Sequence, residues 1–128
     1  MISFRKSAET GVILVEVSVN EAHDFVLALD TGCSHTTIDF TALKLADVAL
    51  GKSVDSVLIE TANGIVRTDV FVVEQLSALG LSKQNARIQV YDFLAHGLAG
   101  DYDGMLGLDF LDGTNFCINT RDETITIA

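Results

Sequence analysis

The chain reads as an all-β protein, a small closed sheet structure with one or two short helices. Three observations predict it. Apolar and polar residues alternate over short runs: Val15, Val17 and Val19 stand against Glu16, Ser18 and Asn20, and residues 86–91 (Ala-Arg-Ile-Gln-Val-Tyr) repeat the pattern. The pair Asn63-Gly64 separates two β-branched runs and is the strongest short hairpin signal, because both central residues of a type I′ turn need positive φ. Two last short runs, residues 114–119 and 123–127, flank the turn Thr120-Arg121-Asp122. With 128 residues and no internal repeat, residues 1–128 are expected to form one domain.

In chain order, residues 1–10 are polar after Met1-Ile2 and suit an edge strand or arm. Residues 12–19 form a half-buried strand, and the turn chemistry of residues 20–24 returns residues 25–29 antiparallel to it. Thr36-Thr37-Ile38 is a further short strand. Asp39 or Thr41 caps a helix over residues 40–50, with Gly51 as its stop. Residues 57–61 and 65–73 are the arms of the Asn63-Gly64 hairpin. Residues 74–84 read as a strand end followed by a loop or helical turn, and 86–91 as a strand. Residues 92–103 read as a loop with one helical turn at Phe93-Leu94-Ala95-His96. Asp101-Tyr102-Asp103-Gly104 has the start of a calcium loop but lacks the remaining ligand positions, so an acidic surface turn is preferred. Residues 104–108 re-enter the core, and Asp109-Phe110-Leu111 starts a short helix.

The chemistry concentrates at Leu29-Asp30-Thr31-Gly32-Cys33-Ser34. The apolar strand 25–29 ends abruptly in an acid, a hydroxyl and a glycine, and a β-branched run follows. A carboxylate at the end of a buried strand costs desolvation energy unless it is hydrogen-bonded or shares a proton. Gly32 permits a turn or close approach where a Cβ would clash. Taken alone, an acid before Thr-Gly is more often a turn residue than a catalyst, and Met105 and Leu106 taken alone are core.

Composition removes several function classes. Eighteen acids against 8 Lys and Arg give a net charge of −10, so no basic footprint exists for nucleic acid. No apolar run reaches membrane-spanning length and the N-terminus lacks signal-peptide anatomy, so no membrane partner and a cytoplasmic location are expected. Cys33 and Cys117 are expected as two buried thiols in a reducing compartment, in preference to a bridge. Cys33 beside His35 suggests a thiol nucleophile, but no third group is evident. The spacing His23, Cys33, His35 matches no metal pattern, and neither metal nor cofactor is expected.

Asp30-Thr31-Gly32 after an apolar strand, with Cys33-Ser34 behind it, a hairpin downstream and then Met105-Leu106-Gly107, resembles the single-lobed, retropepsin-like aspartic proteases. The resemblance runs from about Gly11 to Ile127. It implies a small closed β-barrel with a flap hairpin whose tip is Asn63-Gly64. Asp30 would be the catalytic acid and base. Thr31 would bond across a two-fold axis, Gly32 would permit the close approach, and Ser34 would bond the outer carboxylate oxygen. Met105, Leu106 and Gly107 would be the packing signature beside the loop. Cys33 stands where alanine is commoner.

Two carboxylates sharing a proton can activate water and protonate a leaving group. This chain has one motif acid, so the resemblance implies a homodimeric endopeptidase acting on a peptide or protein substrate. In the family the chain termini interleave beneath the site, and the alternation of Ile125 and Ile127 with Thr124 and Thr126 suits such a strand. The rival readings are a non-catalytic dimerisation or peptide-binding module of the same fold, and a monomeric β-barrel binding protein with a chance motif.

Overall fold

The computed structural model describes residues 1–61, 64–93 and 100–128. Its strands and helices are β1 (Ile2–Ser3), β2 (Arg5–Lys6), β3 (Ile13–Val19), β4 (His23–Leu29), β5 (Thr37–Asp39), α1 (Phe40–Leu45), β6 (Asp55–Thr61), β7 (Gly64–Ala78), β8 (Leu81–Tyr91), β9 (Gly104–Leu106), α2 (Leu108–Leu111), β10 (Phe116–Asn119) and β11 (Thr124–Ile127). The class is all-β, as the alternating runs predict.

The larger sheet has the order β2-β3-β4-β9-β5-β8-β7-β6, and a further pairing of β3 with β7 closes it. Six strands, β3-β4-β9-β5-β8-β7, therefore ring a barrel, and β2 and β6 are added outside the ring. The closing rungs are Val17 with Ala78, Ser18 with Ser77 and Val19 with Leu76. Closure leaves those strands no open edge. The barrel is filled by Val17, Val19, Leu27, Ile38, Leu76, Ile88 and Leu106, with Leu43, Phe110 and Leu111 packed on from the two helices.

Three elements differ from expectation. The helix after β5 covers only residues 40–45, not 40–50. Asp39 caps it, its Oδ2 accepting from the Ala42 N–H at 3.0 Å. It ends well before Gly51 because Asp47 adopts φ 59°, and the N–H groups of Asp47 and Val48 turn back onto the carbonyls of Lys44 and Leu43. Those two bonds form a Schellman closure, and aspartate is one of the few non-glycine residues that tolerates this geometry.

Residues 74–84 are a continuous hairpin, not a loop or helical turn. β7 runs on to Ala78 and turns through Leu79 (φ 54°) and Gly80 (φ 76°) into β8. A leucine at positive φ gives no turn signal in sequence. It is held there by packing of its side chain against the core. The expected helical turn at Phe93–His96 lies largely outside the described residues.

The third difference concerns the chain ends. β11 is the central strand of a separate three-stranded sheet, β1-β11-β10, so both of its edges are filled from the same chain. Ile125 pairs with Ile2 on one side and Ile118 on the other, and it is 0% exposed. It belongs to the core of a single chain and is not left open for another chain to cover. Of the two isoleucines expected at an interchain sheet, only Ile127 keeps partial exposure.

Asp101 and Asp103, the acids of the calcium-like stretch, are occupied by the fold. Asp101 accepts the Ser7 hydroxyl, and that bond holds its carboxyl below the ordinary value of 3.8. Asp103 exchanges two bonds with the Val26 backbone. Among the described residues no cluster of three potential metal ligands occurs, and no helix is long and apolar enough to cross a membrane.

Replacing Ile125 by Ala should destabilise the chain by about 2–5 kcal/mol through lost transfer energy and the cavity left behind. Urea unfolding should show a lower midpoint with an unchanged slope. An unaltered midpoint would remove Ile125 from the core.

Candidate functional site

β4 ends at Leu29, and the chain then crosses to β5 through the loop that carries Asp30. The two strands are not neighbours: β9 lies between them, parallel to β4 and antiparallel to β5. This insertion makes the loop an arch over β9. The Asp30 N–H donates to the Leu106 carbonyl at 3.1 Å, which ties the acid to the fully buried end of β9.

Within the arch, the Asp30 carbonyl accepts from the Cys33 N–H at 3.1 Å, and the Gly32 N–H donates to Asp30 Oδ1 at 2.9 Å. The carboxylate is thus oriented by its own loop backbone. A Cβ on Gly32 would stand 3.2 Å from Oδ1 and press on it. Thr31, Gly32 and Ser34 are exposed in the single chain, while Asp30 is half-buried.

Gly107 is where the arch is seated. A Cβ there would fall 2.7 Å from the His35 carbonyl carbon and 2.8 Å from the Cys33 oxygen. Those atoms are backbone and cannot swing aside. Gly104, at the other end of β9, is tighter still, its Cβ position being 2.1 Å from the Thr37 oxygen at φ +154°. Met105 between them lines the cleft, and Leu106 is sealed in the core.

A polar clamp completes the seat. The hydroxyl of Thr36, 1% exposed, donates to Asp109 Oδ1 at 2.8 Å and accepts from the Gly107 N–H at 3.1 Å. The Thr36 N–H also donates to the Asp109 carboxylate. The N–H groups of Leu108 and Asp109 donate in turn to the carbonyls of Cys33 and Ser34. Sequence reading saw Asp109 only as the start of a helix. Its partner lies 73 residues away, and no local pattern announces the pairing.

Ser34 does not meet Asp30. Its Oγ lies 3.0 Å from His35 Nδ1, because the arch turns that side chain outward. The imidazole is therefore engaged away from Cys33, whose thiol donates to the His35 carbonyl instead, at 2.9 Å. No thiol–imidazole pair forms. Both cysteines are free, as expected, but neither is buried: Cys33 is half-buried and Cys117 exposed. Burial pushes the Cys33 thiol above its ordinary value of 9.0, the His35 backbone contact opposes this, and the Asp30 and Asp109 charges add to the rise.

Asp30, Gly32, Cys33 and Ser34 open onto a cleft of about 650 Å³, lined across from them by Val57, Leu58, Ile59 and Glu60 of β6. β6 thus shares this cleft with the acid. Gly64 opens β7 opposite Thr61 at φ 112°, and Asn63 lies outside the described residues. The arrangement presents an oriented carboxylate at one wall of a cleft, with an edge strand as the other wall.

A closed six-stranded barrel with an Asp-Thr-Gly arch seated on an inserted Met-Leu-Gly strand defines the aspartic protease class. A family model described as "Aspartyl protease" matches residues 15–110, and the chain belongs to that family. Its fold is similar to the crystal structure of a retropepsin-like aspartic protease from Rickettsia conorii, with a TM-score of 0.62 and 19% identity over 98% of this chain and 86% of that one. A search of curated proteins returned no match.

Gly107→Ala should cost about 1–3 kcal/mol or more by overpacking against backbone, and should displace the arch. Thermal unfolding checks the first effect, and loss of the Gly32-to-Asp30 bond in a structure of the variant checks the second. In a Cys117→Ser background, iodoacetamide should react with Cys33 only slowly at neutral pH, with a half-maximal rate above pH 9. Because the folded state favours the neutral thiol, its stabilising contribution is lost as pH rises through the raised value. A half-maximal rate below pH 9 would contradict the burial argument.

Proposed function

We propose that the chain is a homodimeric aspartic endopeptidase, hydrolysing a peptide bond with water activated between two Asp30 carboxylates, one from each protomer. The observation that carries the proposal is the state of Asp30 itself. Its carboxylate is oriented by Gly32 at the wall of an open cleft, yet the loop around it offers no second acid. Asp109, the nearest candidate along the arch, has both oxygens committed to Thr36. Glu60 stands across the cleft on the exposed edge strand.

The exposure of Thr31 and Gly32 supports the same reading. A loop tied into the core at both ends, but bare at its crest, suits symmetric contact with its own copy. In such a pair one carboxylate takes a proton from the attacking water as the other, protonated, supplies one to the substrate, because two like charges in contact cannot both ionise. Thr31 would bond across the axis. The β6–β7 hairpin would close over the bound peptide, with Asn63-Gly64 at its tip. Since β11 is enclosed by its own chain, a partner's strands would have to meet the free edges of β1 or β10.

Asp30→Asn should lower kcat by about 10²–10⁴-fold while leaving fold and dimer intact, since the amide fills the same space but carries no proton between states. Equal turnover by the pure variant would remove Asp30 from the chemistry. Specific activity of the wild type should fall on dilution with the midpoint of dissociation seen by sedimentation, and its pH–rate profile should be bell-shaped. Full activity in a demonstrated monomer would overturn the paired mechanism.

A further inference from the structure

The cleft has a polar floor that the proposed mechanism does not use. Val70, Gln89, Thr37 and Met105 are successive partners across β7, β8, β5 and β9, and Met105 is paired in turn with Ala28 on β4. Partners in register share one face of a sheet. The neighbours of Gln89 along β8, Ile88 and Val90, point into the barrel core, so Gln89 faces the other way, into the cleft that it lines with Thr37 and Met105. Asp30 follows Ala28 by two residues and shares that face.

Gln89 is 6% exposed, and among the described residues its carboxamide has no hydrogen-bond partner. Thr68, two residues before Val70 and on the same face, is 1% exposed, and its Oγ1 also has none. Of the two, only Thr68 Oγ1 is both wholly enclosed and unsatisfied; the Gln89 carboxamide has no partner among the described residues but stays in contact with the open cleft it lines. A wholly enclosed polar group left unmet, as at Thr68, costs stability. Apolar residues would have served a purely structural floor better. Val57, Ile59, Tyr91 and Phe93 line the same cleft around Gln89.

We propose that Gln89, with Thr37 beside it, forms a subsite that receives an uncharged carboxamide side chain, asparagine or glutamine, from the bound peptide. The proposal rests on reading the cleft as a peptide-binding site. A carboxamide suits Gln89 because each such group offers one acceptor and two donors, so two of them pair reciprocally. A carboxylate would be buried without a cation, near Asp30 and Glu60. An aliphatic side chain would cover the Gln89 carboxamide and leave it unpaired in the complex. From β4 to β8 the floor crosses three strand spacings, roughly 14 Å. The subsite thus serves a residue beyond the two that flank the scissile bond.

A positional-scanning decapeptide library tests this in two ways: cleavage by the wild-type protein, and binding to Asp30→Asn, which separates recognition from chemistry. One position should prefer Asn or Gln over Leu by at least tenfold in both assays. Gln89→Leu should reverse that preference at that position alone. Cleavage without the preference, or a preference that Gln89→Leu leaves unchanged, overturns the subsite and leaves the protease reading standing. Binding with the preference but without cleavage overturns the protease reading and supports the subsite. Absence of both binding and cleavage overturns both.

Discussion

The structure depends on one steric constraint, the insertion of β9 between β4 and β5. Two strands joined by a short arch would ordinarily be neighbours. Here a third passes between them, and it fits only because Gly104 and Gly107 have no Cβ to strike the backbone of Thr37, Cys33 and His35. Between those glycines Leu106 enters the barrel centre and accepts the Asp30 N–H. The same insertion that joins β4 to β5 within the barrel therefore fixes the height and direction of the carboxylate.

The clamp of Thr36 and Asp109 makes that geometry stiff. Asp109 accepts from both the hydroxyl and the N–H of a buried threonine, which passes the constraint on to Gly107. Hydrogen bonds to an ionised acceptor are about twice as strong as neutral ones. The arch is consequently tied at its base and open at its crest, where Thr31 and Gly32 stand in solvent. A rigid base beneath an accessible crest is what preorganised acid–base chemistry requires.

β8 serves two surroundings at once. Ile88 and Val90 fill the barrel, while Gln89 and Tyr91 face the cleft, so alternation along this one strand serves the core on one side and the cleft on the other. β6 sits outside the closed ring as an edge strand and lines the cleft together with Asp30. The pronounced negative charge of the whole chain adds a field that disfavours anionic partners near this cleft.

Sequence alone determined the fold class and the position of Asp30 at a strand end, because period-two alternation and glycine placement are local signals, whereas Met105-Leu106-Gly107 stood out only through the family resemblance. It also determined that only one motif acid exists. Tertiary structure decided what depends on distant partners. The Asp109–Thr36 clamp joins residues 73 apart. Helix α1 stops at Ala46 because Asp47 takes a left-handed conformation, and Leu79 turns a hairpin because the core holds its side chain. Ser34 faces His35 and not Asp30 because the arch over β9 sets its direction. Ile125 was legible as a strand residue, but its burial within one chain was not. Alternation shows that one face is covered, whereas only the packed chain shows what covers it.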